Sequence, residues 1–132
     1  MAEEFSGTWK LIFSGNFDEY MKELGVSFAQ RKQGSLGKPT MIIATDKDIT
    51  TIRTETAFKV TEISFRLDQE FKEITMDNRH AKSIITRDNN ALIQVQKWNG
   101  NQTTIKRQLV NGNMVSEYTM NDVTCTRVYG RV

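Results

Sequence analysis

The chain has 132 residues, a net charge of +2, 38% hydrophobic residues, one Cys and one His. That length is one domain, and so small a charge lacks the concentrated basic footprint of a nucleic-acid binder. A lone Cys125 and a lone His80 exclude an internal disulfide and an ordinary Cys/His zinc cluster, so no metal is expected.

The start, Met1-Ala2-Glu3-Glu4, is acidic and has no apolar h-region, so a cytoplasmic protein is expected. The longest mid-chain apolar run, Met41-Ile42-Ile43-Ala44, is too short to span a bilayer. Phe5, Gly7, Trp9, Leu11 and Phe13 share one parity, which predicts a first strand with that face inward. Asn16 and Glu19 have capping-box spacing, Phe17, Tyr20, Met21 and Leu24 recur at helical spacing, and Gly25 marks a stop. Ser27 with Gln30 opens a second helix, which the Gly34–Gly37 region ends before Pro39. The Gly-x-x-Gly spacing there reads as helix termination rather than an RNA clamp. Two short helices, over about residues 16–36, are thus inserted between strands one and two.

From about residue 38 onward, turn signals recur at short intervals, with Asn99-Gly100 and Asn111-Gly112 as the strongest hairpin pairs. The segments between them are rich in Thr, Val, Ile and Phe, which favours strands. Parity switches between Phe58/Val60 and Ile63/Phe65/Leu67, predicting a bulge or kink. Residues 91–98 carry apolar groups at both parities, which leaves the inward face of that strand open. About ten short antiparallel strands need closure to hide their edges, which predicts an all-β barrel. Its polar inward positions favour a wet, ligand-holding lumen.

The chemistry lies in the last third. Arg107 shares a parity with Ile105 and Leu109, and Arg127 and Tyr129 share one with Val123 and Cys125. Alternation therefore turns two guanidinium groups and a phenol toward the apolar side. An inward Arg cannot deprotonate and needs a partner. Two partners satisfy that need: a bound carboxylate, or an internal pair with Asp77, Glu73 or Glu55. Cys125 has no His at matching parity and reads as a small hydrophobe, and no base–nucleophile pair argues for an enzyme.

Gly7-Thr8-Trp9-Lys10-Leu11, Asn16-Phe17, Tyr20-Met21-Lys22, Lys38-Pro39, Thr51-Ile52-Arg53-Thr54-Glu55-Thr56, Asp77-Asn78-Arg79 and Thr126-Arg127-Val128-Tyr129 together resemble the intracellular lipid-binding proteins. The branch is the fatty-acid-binding one that includes the myelin, adipocyte and testis members, and the resemblance spans the whole chain. It implies one domain over 1–132, a ten-stranded antiparallel up-and-down β-barrel with a helix-turn-helix lid, and a monomeric, non-enzymatic carrier of long-chain fatty acids without a cofactor. Arg127 and Tyr129 match positions that touch the ligand carboxylate, and Arg107 matches one acting through water. Phe17, Met21 and Phe58 match portal and acyl-tail positions, joined by Met76, Ile105 and Tyr118. Tyr118 stands where the myelin and adipocyte members carry Cys, and Met76 where Ala is frequent, so both add bulk to the lumen. Lys22, Arg31 and Lys32 match a basic lid cluster, which implies transient contact with anionic membranes or entry to the nucleus. A retinoic-acid carrier and a myelin-type membrane-associated structural protein are the alternatives.

Overall fold

The computed structural model describes residues 2–132. A single 3-10 turn at Glu3–Phe5 leads into β1 (Gly7–Gly15), followed by α1 (Phe17–Leu24) and α2 (Phe28–Leu36). Then come β2 (Thr40–Asp46), β3 (Ile49–Glu55), β4 (Val60–Phe65), β5 (Phe71–Ile74) and β6 (His80–Asp88). The chain ends with β7 (Ala91–Trp98), β8 (Asn101–Val110), β9 (Asn113–Met120) and β10 (Val123–Arg131). The strands form one antiparallel meander, curled so that β1 pairs with both β2 and β10. Closure is incomplete: β4 and β5 are the two sheet edges, and no ladder joins them. Side chains span part of the gap, with Phe65 and Phe71 stacked at 5.7 Å between ring centroids.

The hairpins follow from their turn residues. Lys47, Asn89, Asn99, Asn111 and Asn121 all take positive φ, and in the two Asn-Gly turns the glycine does so as well. Asn tolerates this left-handed conformation better than most residues, and Gly adopts it freely. Two strand expectations need correction. In β1, Leu11 pairs with Tyr129 but Phe13 with Val128, so Ile12 is an extra residue. That bulge breaks the alternation and leaves Phe13 exposed. Near β4 there is no bulge: Phe58 lies in the preceding turn, Val60 faces solvent, and Thr61 and Ile63 line the lumen.

The helices also differ in detail. Asn16 does not cap α1 with its side chain; it sits at φ 67, and its Nδ2 donates to the Thr124 carbonyl at 2.9 Å. Ser27 does cap α2, accepting from the Gln30 N–H at 3.3 Å. Helix α2 ends at Leu36 with Gly37 as its C-cap, within the expected Gly34–Gly37 region, and Gly34 itself lies in its last turn. A β-carbon there would fall 2.9 Å from Met21 Sδ, so glycine permits the close approach of the two helices.

The apolar core fills the end of the barrel opposite the lid. It joins Phe5, Trp9, Met41, Ile43, Ile85, Leu92 and Met114. Trp9 donates from Nε1 to the Phe5 carbonyl at 2.9 Å, tying β1 to the 3-10 turn that plugs this end. A smaller cluster of Tyr20, Met120 and Cys125 lies under α1. Between the two clusters lies the lumen.

Candidate functional site

Strand register sets the site in rows. Across β8, β9 and β10, Arg107, Ser116 and Arg127 stand opposite one another. The row nearer the lid holds Ile105, Tyr118 and Cys125; the row nearer the core holds Leu109, Met114 and Tyr129. Residues paired across neighbouring strands project to the same face, so all nine point inward together. The lumen, which Ile105, Arg107, Tyr118, Arg127 and Tyr129 of these rows line, encloses about 390 Å³, within the range of small-molecule pockets. Arg107, Arg127, Tyr129, Phe17, Met21, Phe58, Met76, Ile105 and Tyr118 all line it. Phe58 is half out in solvent at the mouth.

The two arginines are buried, at 6% and 5% exposure, and neither has a carboxylate partner among the described residues. Of the three acids open as partners from the sequence, Glu55 binds Arg53 at 2.6 Å and Asp77 binds Arg79 at 2.7 and 3.0 Å. Glu73 reaches Arg107 only indirectly: Gln94 Nε2 donates to Glu73 at 2.7 Å, while Gln94 Oε1 accepts from Arg107 Nη1 at 2.8 Å. Arg127 lies 3.9 Å over the Phe17 ring, a cation–π contact that takes no lone pair from an anion. The Nε atoms of both arginines and the Ser116 hydroxyl are buried without a hydrogen-bond partner. Two fixed positive charges therefore face a pocket whose other walls are largely apolar or neutral. Such a site attracts one anionic group.

Burial pushes the Tyr129 phenol above its usual range, with Tyr118 adding to the effect and Arg127 opposing it. Tyr129 is thus a neutral O–H donor at any physiological pH. Tyr20 behaves alike, pushed up to about 12 by burial against the hydrogen bond it shares with Thr103. Burial also holds the Cys125 thiol up at about 11, so it is no thiolate nucleophile.

Several functional groups escaped the sequence. Gln94 and Gln96 point inward from β7 and are nearly fully buried. Arg79 joins Asp77 to Gln96 Oε1 at 3.0 Å and stacks 4.4 Å over Trp98. Tyr20 shares a 2.7 Å hydrogen bond with Thr103, anchoring α1 to the barrel. Alternating inward-facing polar residues could have flagged Gln94 and Gln96, had the apolar groups of β7 not pointed both ways.

The lid is less basic than its cations alone imply. Lys22 lies 3.7 Å from Asp18 and 3.4 Å from Glu19. Arg31 binds Asp18 at 3.1 Å and the Val26 carbonyl at 2.9 Å, so it staples the two helices. Lys32 is exposed, and no ion pair to it is found among the described residues. Helix α2 buries none of its side chains and leaves Phe28 and Leu36 exposed.

Tyr118 contacts Tyr20 with ring centroids 5.5 Å apart, beneath the lid. Replacing it with Cys deletes a ring from the lumen wall. Tyr118→Cys should therefore raise affinity for bent polyunsaturated chains relative to saturated ones, read by competitive displacement of a fluorescent probe. An unchanged ratio would place the ring outside the acyl path.

A lidded β-barrel with a ligand-sized lumen and two unpaired internal cations defines a binding protein for an amphipathic anion. The whole of the sheet matches a known pattern: residues 6–132 fit the lipocalin / cytosolic fatty-acid binding protein family, and the chain belongs to that family. It is 54% identical to the adipocyte fatty acid-binding protein of Pygoscelis papua, over 99% of each chain. It is also 54% identical to fatty acid-binding protein 9 of Homo sapiens, over the full length of both. Among solved structures, a Schistosoma mansoni fatty acid binding protein in complex with arachidonic acid superposes with a TM-score of 0.96 at 38% identity, covering 99% of this chain and 98% of that one.

Proposed function

We propose that this protein is a non-enzymatic carrier of long-chain fatty acids, with the carboxylate held by Arg127, Tyr129 and Arg107. The observation that carries this reading is the pair of buried guanidinium groups without an internal carboxylate. A ligand carboxylate accepts paired N–H bonds from Arg and a further O–H bond from Tyr129. The tail then leaves water for a wall that includes Met21, Ile52, Ile63, Met76 and Ile105, worth about 0.8 kcal/mol per buried CH₂. The relatives named for fatty acids support the same ligand class. Hexadecanoic acid should displace a fluorescent fatty acid with saturation at one site per chain. Displacement by retinoic acid but not by hexadecanoic acid would favour the retinoid alternative instead.

A place in the cytosol is supported by the family, which joins lipocalins with cytosolic fatty-acid binding proteins, and nuclear entry through Lys22, Arg31 and Lys32 is an extension of that reading. Delivery by transient membrane contact, as a monomer, completes the proposal. It rests on Phe28 and Leu36, exposed on the second lid helix, more than on charge, since Lys22 and Arg31 are already paired. Transfer to vesicles should speed up with vesicle concentration. Lys32 alone, at about 1 kcal/mol near an anionic surface, sets a preference of about fivefold for anionic over zwitterionic lipid. Lys32→Gln should remove most of that preference without changing fatty-acid affinity. Transfer indifferent to vesicle concentration would mean release into water.

A further inference from the structure

The lumen wall carries an acidic group that the carboxylate anchor leaves half used. Glu73 lies on β5, is half-buried, and lines the lumen where it meets the gap between β4 and β5. The β5–β6 ladder pairs Glu73 with buried Ala81 and Phe71 with buried Ser83, which fixes that face as the inward one. Both local donors go to one oxygen: Oε2 accepts from the Ser83 hydroxyl and, at 2.7 Å, from Gln94 Nε2. Among the described residues Oε1 has no hydrogen-bond partner and Glu73 forms no ion pair. Oε1 is also not one of the unpartnered polar atoms sealed inside the protein, so it presents surface to the cavity.

The position of Glu73 relative to the head-group site is set by Gln94. That amide bonds Glu73 on one side and Arg107 Nη1, at 2.8 Å, on the other. An acyl chain anchored at the arginines therefore starts within one side chain's reach of Glu73, and the carbons that pass it belong to the carboxyl half of the chain. A plain chain has no donor to offer there. Its CH₂ groups cover Oε1 and cost the oxygen hydration without a replacement bond. A hydroxyl on the passing carbon donates to Oε1, and a hydrogen bond to a carboxylate is roughly twice as strong as a neutral one. A carboxylate only accepts, so Glu73 also turns away the ligand's own head group and leaves it to the arginines.

Resting on the carboxylate-anchoring reading above, we propose that the lumen prefers long-chain fatty acids with a hydroxyl in the carboxyl half of the chain to their plain counterparts. Glu73 is the specificity-determining residue and accepts from that hydroxyl.

Displacement titrations with hexadecanoic acid and its racemic 4-hydroxy, 6-hydroxy, 8-hydroxy and 16-hydroxy derivatives test this in the full chain. One of the first three derivatives should bind about tenfold tighter than hexadecanoic acid, the lower end for a hydrogen bond to a charged group. The 16-hydroxy acid, whose hydroxyl lies at the far end of the tail, should gain nothing. Because Glu73 also steadies Gln94 and through it Arg107, the variants are read by the ratio of hydroxy to plain acid rather than by either affinity alone. Glu73→Leu should bring the favoured derivative level with hexadecanoic acid or below it. Glu73→Gln keeps an accepting oxygen without the charge and should favour the same carbon by a smaller factor, which separates recognition from lost packing. If wild-type protein binds hexadecanoic acid but ranks every hydroxy acid level with it or below, Oε1 keeps its water through the gap and the inference is overturned while the carrier reading stands. A wild-type ranking that survives in Glu73→Leu overturns it equally. If none of the acids binds, the carrier reading itself falls.

Discussion

Arg127→Ala should weaken binding of long-chain fatty acids by about 2–5 kcal/mol, the range for truncating one member of a buried charged pair. The guanidinium is 5% exposed and stacks on Phe17, so the substitution removes both the anion's partner and the support of the lid's first residue. The methyl ester separates these effects. It fills the same lumen but carries no charge, so its affinity should fall by less than about 1 kcal/mol. Equal losses for acid and ester would make Arg127 a packing residue and move the head group elsewhere. The unliganded variant should be no less stable than wild type, because it loses a buried charge with no internal counter-ion.

The largest stability effect is expected at the far end of the barrel. Trp9→Ala should cost about 3–5 kcal/mol, a loss typical of a large aromatic deleted from a packed core. Trp9 is fully buried, ties the N-terminal turn through its hydrogen bond to Phe5, and lies 4.2 Å beneath the Arg131 guanidinium. Since folded domains are stable by only about 5–15 kcal/mol, a midpoint drop of roughly 10–20 °C follows. Trp9→Phe should cost less, because it keeps most of the packing and loses mainly the bond to the Phe5 carbonyl. A variant Trp9→Ala that melts with wild type would show that the β1–β10 seam does not depend on this end.

What could be read from the sequence was what local chemistry dictates. Positive φ at Asn99, Gly100, Asn111 and Gly112 is demanded by two-residue hairpins, so those turns are legible in the residue types alone. The inward parity of Arg107, Arg127 and Tyr129 was visible too, because each shares a strand with a clear apolar neighbour. Features set by distant partners were not. Asn16 has capping spacing, yet its amide is used by Thr124, on a strand that meets it only in the folded barrel. The extra residue at Ile12 changes the β1 register and leaves an exposed Ile-Phe pair that alternation alone assigns differently. On β7 the rule inverts: Gln94 and Gln96 face the lumen while Ile93 and Val95 are only partly buried on the outside. Hydrophobic alternation presumes a dry interior, and a lumen built for a charged head group is not dry. The ion pairs of Lys22 and Arg31 with Asp18 likewise depend on how two short helices meet, which spacing within each helix does not reveal.

Mass spectrometry of the small molecules released from protein purified without delipidation tests the carrier reading most directly. Long-chain fatty acids at close to one per chain in wild-type protein, and strongly depleted in Arg127→Ala, are the expected result. A retinoid in their place, or equal loading of wild type and Arg127→Ala, would contradict it.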